Sequence, residues 1–438
     1  MTYAEAVARV LALRGGEHAG MRPGLERIET LLEALGRPEQ RYALVQVGGT
    51  NGKGSVAALI AACLRAAGRR VGLYTSPHLV SFRERIRVDG EAIPEDAVVD
   101  GVEALGTLVA RLDASMFEAT TAMALDHFAR EAVDVAVLEV GLGGRLDATT
   151  VGVPAATVIA RIDLDHQAVL GSTLAAIARE KAAIIRAGLA IAAAQDDAAT
   201  DVLVARAAEA GVELLLEGRD LAVSVESRRP DAQWLDCRGP GWRIARLELG
   251  LAGTYQPSNA LLAVAAAQAL GVAEPAVRAG LARARWPGRF DVRRTGHRWL
   301  VLDGAHNPAG ARALAASLAE YFPGADLTLV VGILRDKDAR GILAPLVPLA
   351  RRLILTASSN PRAADPEALR GALPPGAPEP EVARSSDEAL ALVAGSPRTP
   401  IVCVAGSLSL IGDVLRRGLG GDKPCSLEKG ADSMEFLF

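Results

Sequence analysis

The stretch from Tyr42 to Ile60 constrains the fold more than any other. An apolar run Tyr42 to Val47 is followed by Gly48-Gly49-Thr50-Asn51-Gly52-Lys53-Gly54-Ser55 and then by the helical Val56-Ala57-Ala58-Leu59-Ile60. Strand, glycine-rich loop and helix in that order let backbone N–H groups and the helix N-terminus surround phosphate oxygens. Lys53 would lie near the outer phosphates and the Ser55 hydroxyl near Mg²⁺. The strict GxxxxGK[ST] pattern fails twice, because Val47 stands at its first Gly and Gly54 separates Lys53 from Ser55.

The same alternation continues along the chain. Strands are expected at Tyr42–Val47, Val71–Thr75, Val133–Val140, Ala156–Ile162, Trp299–Asp303, Leu327–Gly332, Arg352–Thr356 and Ile401–Ala405. Helices are expected near 53–67, 118–131, 173–187, 258–270, 307–320 and 408–417. This is an α/β pattern with mostly parallel sheet. Residues 212–253 break the rhythm and read as a meander at the edge of the first domain. Trp286-Pro287-Gly288-Arg289-Phe290 is a strong break. It divides a first domain (1–286) from a linker (287–296) and a smaller second domain (297–420), with 421–438 as a frayed tail.

The 438 residues fit two to four domains. With 48 Lys+Arg against 52 Asp+Glu, the net charge of -4 gives no electrostatic case for nucleic acid or an anionic membrane as partner. Cys63, Cys237, Cys403 and Cys425 lack both CxxC spacing and disulfide density, so they read as reduced thiols. Glu5 and Arg9 interrupt the first apolar stretch and no long apolar run follows. A cytoplasmic protein is expected.

Gly49 to Ser55 resembles the nucleotide loop of the folylpolyglutamate synthase and dihydrofolate synthase family, relatives of the Mur peptidoglycan ligases. Further segments agree in order: Thr75-Ser76-Pro77-His78-Leu79, Glu139 through Thr149, Asp165-His166, Glu180-Lys181-Ala182, Pro287-Gly288-Arg289-Phe290, Asp303 through Pro308, and Gly406-Ser407-Leu408. The resemblance spans nearly the whole chain. It implies a P-loop ATPase-like first domain and a Rossmann-like α/β second domain.

Glu139 ends an apolar strand at the carboxyl edge, where open α/β sheets place ligands, and a carboxylate there is costly unless paired or metal-bound. Ser76, taken alone, reads as a turn or cap hydroxyl and His166 as a loop histidine. The resemblance assigns Ser76, Glu139 and His166, with Ser55, to magnesium. Lys181 alone reads as part of a solvated helix face with Arg179 and Glu180. The resemblance makes it a carbamylated lysine holding a second metal, which requires a neutral amine and a partly buried side chain.

Thr50, Asn51, Gly52, Lys53, Gly54 and Ser55 are the expected nucleotide loop. By resemblance Asn259, Arg289, Asp303 and His306 also serve ATP, although Asn259 could cap its helix, and Asp303 and Asn307 could cap the helix at 307–320. Tyr255 stands where many relatives carry His. Arg27, Phe117, Asp147 and Thr149 resemble residues lining the pterin site, with Thr150 in place of a common Asn.

The combined reading is a carboxylate–amine ligase of folate biosynthesis and one-carbon metabolism. It would use ATP, two magnesium ions, L-glutamate and dihydropteroate or a reduced folate, work as a monomer, and pass through an acyl phosphate. Lys53, His166, Lys181 and Arg289 are its catalytic candidates. A Mur-like ligase with another acid acceptor and a non-catalytic ATP-binding switch are the alternatives.

Overall fold

The computed structural model describes residues 1–14, 24–295, 298–395 and 400–417. The expected tail 421–438 and Cys425 lie outside them. The chain divides into two compact units. The first comprises Met1–Glu226, Trp234–Leu249 and Pro257–Ala284, and the second comprises Ser227–Gln233, Gly250–Gln256 and the chain from Arg285 onward.

The first unit is built on eight strands: β1 (Ala43–Gly48), β2 (Val71–Tyr74), β3 (Ile86–Val88), β4 (Glu91–Ala92), β5 (Val135–Glu139), β6 (Pro154–Ile159), β7 (Leu189–Ala192) and β8 (Leu214–Leu216). Their order is β4-β3-β2-β5-β1-β6-β7-β8, parallel from β2 to β8, with β3 and β4 added antiparallel at one edge. Strand β1 is central, and Val45 and Val47 are fully buried, as a parallel strand covered on both faces requires. The connection from β1 to β2 passes over β5, whereas β5 connects across β1 to β6. The carboxyl ends of β5, β1 and β6 therefore flank the reversal of strand order, where α/β sheets leave a crevice.

Strands β9 (Ala222–Arg229), β10 (Ala232–Gly239) and β11 (Trp242–Leu249) pair in sequence order as the expected meander. The sheet of the second unit contains β12 (Asp291–Thr295), β13 (Arg298–Asp303), β14 (Leu327–Val331), β15 (Ala350–Leu355), β16 (Glu381–Val382) and β17 (Ile401–Ala405). Its order is β12-β13-β17-β14-β15-β16, with only β12 antiparallel. Residues 291–295, expected within the linker, thus form an edge strand.

The helix expected at 173–187 is shorter, Leu174–Ala182. The chain leaves it so that Ile184 and Ile185, both fully buried, enter the core. Cys63, Cys237 and Cys403 are buried free thiols. Burial pushes Cys63 and Cys237 up to about 12. No described helix is long and apolar enough to cross a membrane.

Candidate active site

The helix after β1 is Lys53–Ala66, capped by Gly52 at φ 93°. Lys53, Gly54 and Ser55 are its first three residues, so their N–H groups precede the first i→i−4 bond of the helix, at the positive end of its dipole. A β-carbon on Gly52 would stand 2.6 Å from Asn259 Oδ1, so only glycine fits both the dihedral and the space. Thr50 N–H donates to Arg161 O at 2.8 Å, and Thr50 Oγ1 donates to Asp163 O at 3.0 Å. Lys53 Nζ folds back to donate to Thr50 O at 3.1 Å.

Asn259 lies inside helix Gln256–Ala269 rather than at its cap, because the helix begins earlier than the expected 258. It is 6 % exposed and faces Gly52, which joins it to the phosphate loop.

Glu139 ends β5 buried, and its Oε2 accepts the Ser76 N–H at 3.0 Å, placing these two expected ligands together. Ser55 is buried at the start of its helix. His166 has φ 51° and is a third exposed, beside Asp165. No group of three or more His, Cys, Asp or Glu side chains suited to a metal occurs among the described residues.

Lys181 departs from a solvated helix face. It is 5 % exposed, and its Nζ donates to Gly49 O at 2.8 Å. Burial, reinforced by Lys53 and opposed by Asp165 and Asp147, lowers its pKa from 10.5 to about 7. The solvated face is carried instead by Glu180, paired with Arg145 at 3.0 Å.

The loop after β5 grips this helix. Arg145 N–H donates to Glu180 O at 2.9 Å, and a β-carbon on Gly144 would strike that carbonyl at 2.6 Å. Asp147 holds the loop from within. Its Oδ2 accepts Gly141 N–H at 3.0 Å and Leu142 N–H at 2.9 Å, while its Oδ1 accepts Thr149 N–H at 3.0 Å and Thr149 Oγ1 at 2.5 Å. Burial pushes this carboxyl up, and those donors oppose the shift. Gln46 of β1 donates to Thr149 Oγ1 at 3.2 Å and to Thr150 Oγ1 at 2.8 Å. Sequence reasoning missed Gln46, although a polar residue amid Leu44-Val45-Gln46-Val47 was the available signal.

Arg27 Nε donates to Glu118 Oε1 at 2.9 Å, and the Phe117 ring lies tilted at 44° against Tyr74 with centroids 5.8 Å apart. Both are half-buried.

In the second unit, Asp303 ends β13 and is buried. It accepts from Tyr255 Oη, Phe290 N–H and Ala305 N–H, each at 2.8 Å. It does not cap the following helix; Asn307 does, accepting Gly310 N–H at 2.7 Å. Arg289 lies over Gly304, where a β-carbon would meet Nη1 at 2.9 Å. His306 Nδ1 is 2.8 Å from Gly304 O.

Comparison with known proteins gives this architecture a family. Residues 47–267 match the Mur ligase middle domain and residues 288–408 the Mur ligase glutamate ligase domain. The folylpolyglutamate synthase of Lacticaseibacillus casei is 36 % identical over 441 residues, covering 96 % of this chain and 100 % of that protein. A probable bifunctional folylpolyglutamate synthase/dihydropteroate synthase of Haloferax volcanii is 41 % identical over 392 residues, 84 % of this chain and 44 % of that protein. With its Halobacterium salinarum counterpart, covered to 52 %, the chain spans about half the length of these two curated relatives.

Among solved structures, Mycobacterium tuberculosis folylpolyglutamate synthase complexed with ADP superposes with a TM-score of 0.87 at 35 % identity, covering 96 % and 99 % of the two chains. Escherichia coli FolC in complex with DHPP and ADP gives 0.85 at 31 %, covering 94 % and 96 %. The chain belongs to the folylpolyglutamate synthase and dihydrofolate synthase family of Mur ligases.

Proposed function

We propose that the chain is an ATP-dependent ligase joining L-glutamate to dihydropteroate and to reduced folates, a bifunctional dihydrofolate synthase and folylpolyglutamate synthase. The observation that carries this reading is the phosphate loop at the start of helix Lys53–Ala66 with the buried Lys181 amine seated on its Gly49 carbonyl. Relatives named for both activities and solved relatives holding ADP with DHPP or AMPPCP with folate support it.

In this reaction a carboxylate oxygen of the acceptor attacks the γ-phosphorus of ATP, giving an acyl phosphate and ADP. The glutamate nitrogen then attacks the acyl carbon, loses a proton, and phosphate leaves as the amide forms. Both steps bring anions together, so positioning and cationic charge carry the catalysis and no protein nucleophile is required. Lys53 and the amides of residues 52–55 hold the phosphates. Asn259 fixes the loop beside Gly52, and Arg289, Asp303 and His306 contact the nucleotide.

The donor set fits magnesium if Lys181 is carbamylated. Ser55, Ser76, Glu139 and His166 supply two hydroxyls, one carboxylate and one imidazole, and a carbamate at Lys181 would add a second anionic oxygen donor. A lysine near 7 holds enough neutral amine at physiological pH to take up CO₂. The two ions would offset charge repulsion between ATP and the acceptor acid. Arg27 and Phe117 bind the pterin side, with Asp147 and Thr149 shaping the loop that borders it. The enzyme works as a cytoplasmic monomer.

The test is ADP release with dihydropteroate or tetrahydrofolate, each with and without glutamate, followed by product mass. Glutamate-dependent release and a mass gain of one glutamyl residue are expected with both acceptors. Nucleotide binding without amide product would overturn the reading. A high-resolution density map at Lys181 tests the carbamate, and a bare ammonium there would refute it.

A further inference from the structure

We propose that Tyr255 is a positioning residue for the nucleotide end of the reaction, its phenolic hydroxyl holding the Asp303 carboxylate in one orientation. The proposal rests on the ligase reading above, which gives Asp303 to the nucleotide.

Three donors reach Asp303 from separate segments. Tyr255 Oη and Phe290 N–H share Oδ2, and Ala305 N–H takes Oδ1, all at 2.8 Å. Hydrogen bonds to an ionised carboxylate are the stronger kind, and donors on both oxygens fix its plane. Burial pushes Asp303 toward its neutral form, and Arg289 and the Tyr255 hydroxyl oppose this. A phenol is suited to the task because it donates without adding charge.

The backbone around the carboxylate is strained. Phe290 sits at φ 49°, a conformation costing an aromatic residue on the order of 1–2 kcal/mol. Its N–H is thereby one of the Asp303 donors, and such strain persists only where surrounding contacts over-determine it. A carboxylate present merely to fill the core would not need a left-handed phenylalanine.

Tyr255 is itself anchored. Thr254 N–H donates to Ser317 Oγ at 3.0 Å, and Gln233 Nε2 donates to Leu251 O at 2.8 Å and to Gly253 O at 3.1 Å. Two residues past Tyr255 the chain passes from the second unit to the first, and Asn259 follows two residues later.

Tyr255→Phe keeps the ring and removes the donor. It is expected to weaken ADP binding, measured by calorimetry, and to raise the KM for ATP about tenfold, the effect of losing one hydrogen bond to a charged group. The KM for the folate acceptor should stay within about twofold and the melting temperature within a few degrees. Tyr255→His, which retains a donor, should recover part of the ADP affinity. Unchanged ADP affinity in Tyr255→Phe would overturn the proposal. So would a uniform rise in KM for ATP, glutamate and acceptor together with a lowered melting temperature, since that marks a structural role. If the unmodified protein binds ADP but makes no amide, the ligase reading fails, and the ADP titrations still decide the part played by Tyr255.

Discussion

Lys181 Nζ donates to the carbonyl oxygen of Gly49 at 2.8 Å, joining residues 132 positions apart in the sequence. An ammonium inside a unit with so little access to water is unfavourable, and a backbone carbonyl offsets only part of its lost hydration. The arrangement favours the neutral amine.

That pair has a pH signature. The folded Lys181 titrates near 7 and the unfolded one near 10.5, so between those values the unfolded chain holds a proton the folded chain lacks. Stability must rise with pH across that window, and the penalty is fully present and constant below pH 7. Lys181→Met should remove a cost on the order of a few kcal/mol at low pH and gain progressively less toward pH 10. Melting temperatures of both proteins, measured across the range in CO₂-free buffer, should converge at high pH. Parallel curves would contradict the buried, depressed amine.

Lys53→Ala should abolish amide formation while leaving the fold intact, because the half-buried side chain reaches back to the Thr50 carbonyl of its own loop and is not part of the apolar core. Loss of more than about a hundredfold in ADP release is expected for a missing phosphate counter-charge. Circular dichroism should be unchanged, and near-normal turnover would remove the residue from the site.

Gly52→Ala should strain both dihedral and contact, since φ is 93° and the new carbon would stand 2.6 Å from Asn259 Oδ1. A stability loss of about 1–2 kcal/mol is expected from the dihedral alone. Asn259→Ala in the same protein should relieve the clash but not the dihedral. Urea midpoints of the single and double variants give the coupling, and strict additivity would mean that the two residues do not meet.

Asp147→Ala should act on stability before activity. It leaves the amides of Gly141, Leu142 and Thr149 without their acceptor, a loss of about 3 kcal/mol or more. A large drop in urea midpoint is expected. Wild-type stability with folate binding abolished would instead make Asp147 a substrate contact.

What the sequence made legible follows from distance along the chain. The phosphate loop could be read because strand, glycines, lysine and helix are contiguous. The edge position of Glu139 could be read because β5 is an unbroken apolar run. The Tyr255–Asp303 bond, the Gln46–Thr150 bond and the Lys181–Gly49 bond join residues far apart, and no local periodicity encodes such pairings. The helix bearing Lys181 shows the limit: Arg179, Glu180 and Lys181 are all charged, and only the tertiary structure shows that the third is buried, bonded to Gly49 O. Asn307 was legible as a cap, since Asn before Pro308 is a strong helix start.

Strand β1 is the middle of its sheet, yet both strands beside it are made about ninety residues or more later. A ribosome that has released only the first hundred residues has therefore produced the glycine loop without the walls that shape it. Closing such long chain segments is entropically slow, so a triphosphate bound as proposed would lend no stability to the emerging polypeptide until β5, β6 and the Lys181 helix have followed the loop out. Under the proposed reading, nucleotide would be a ligand of the finished unit rather than a template for building it.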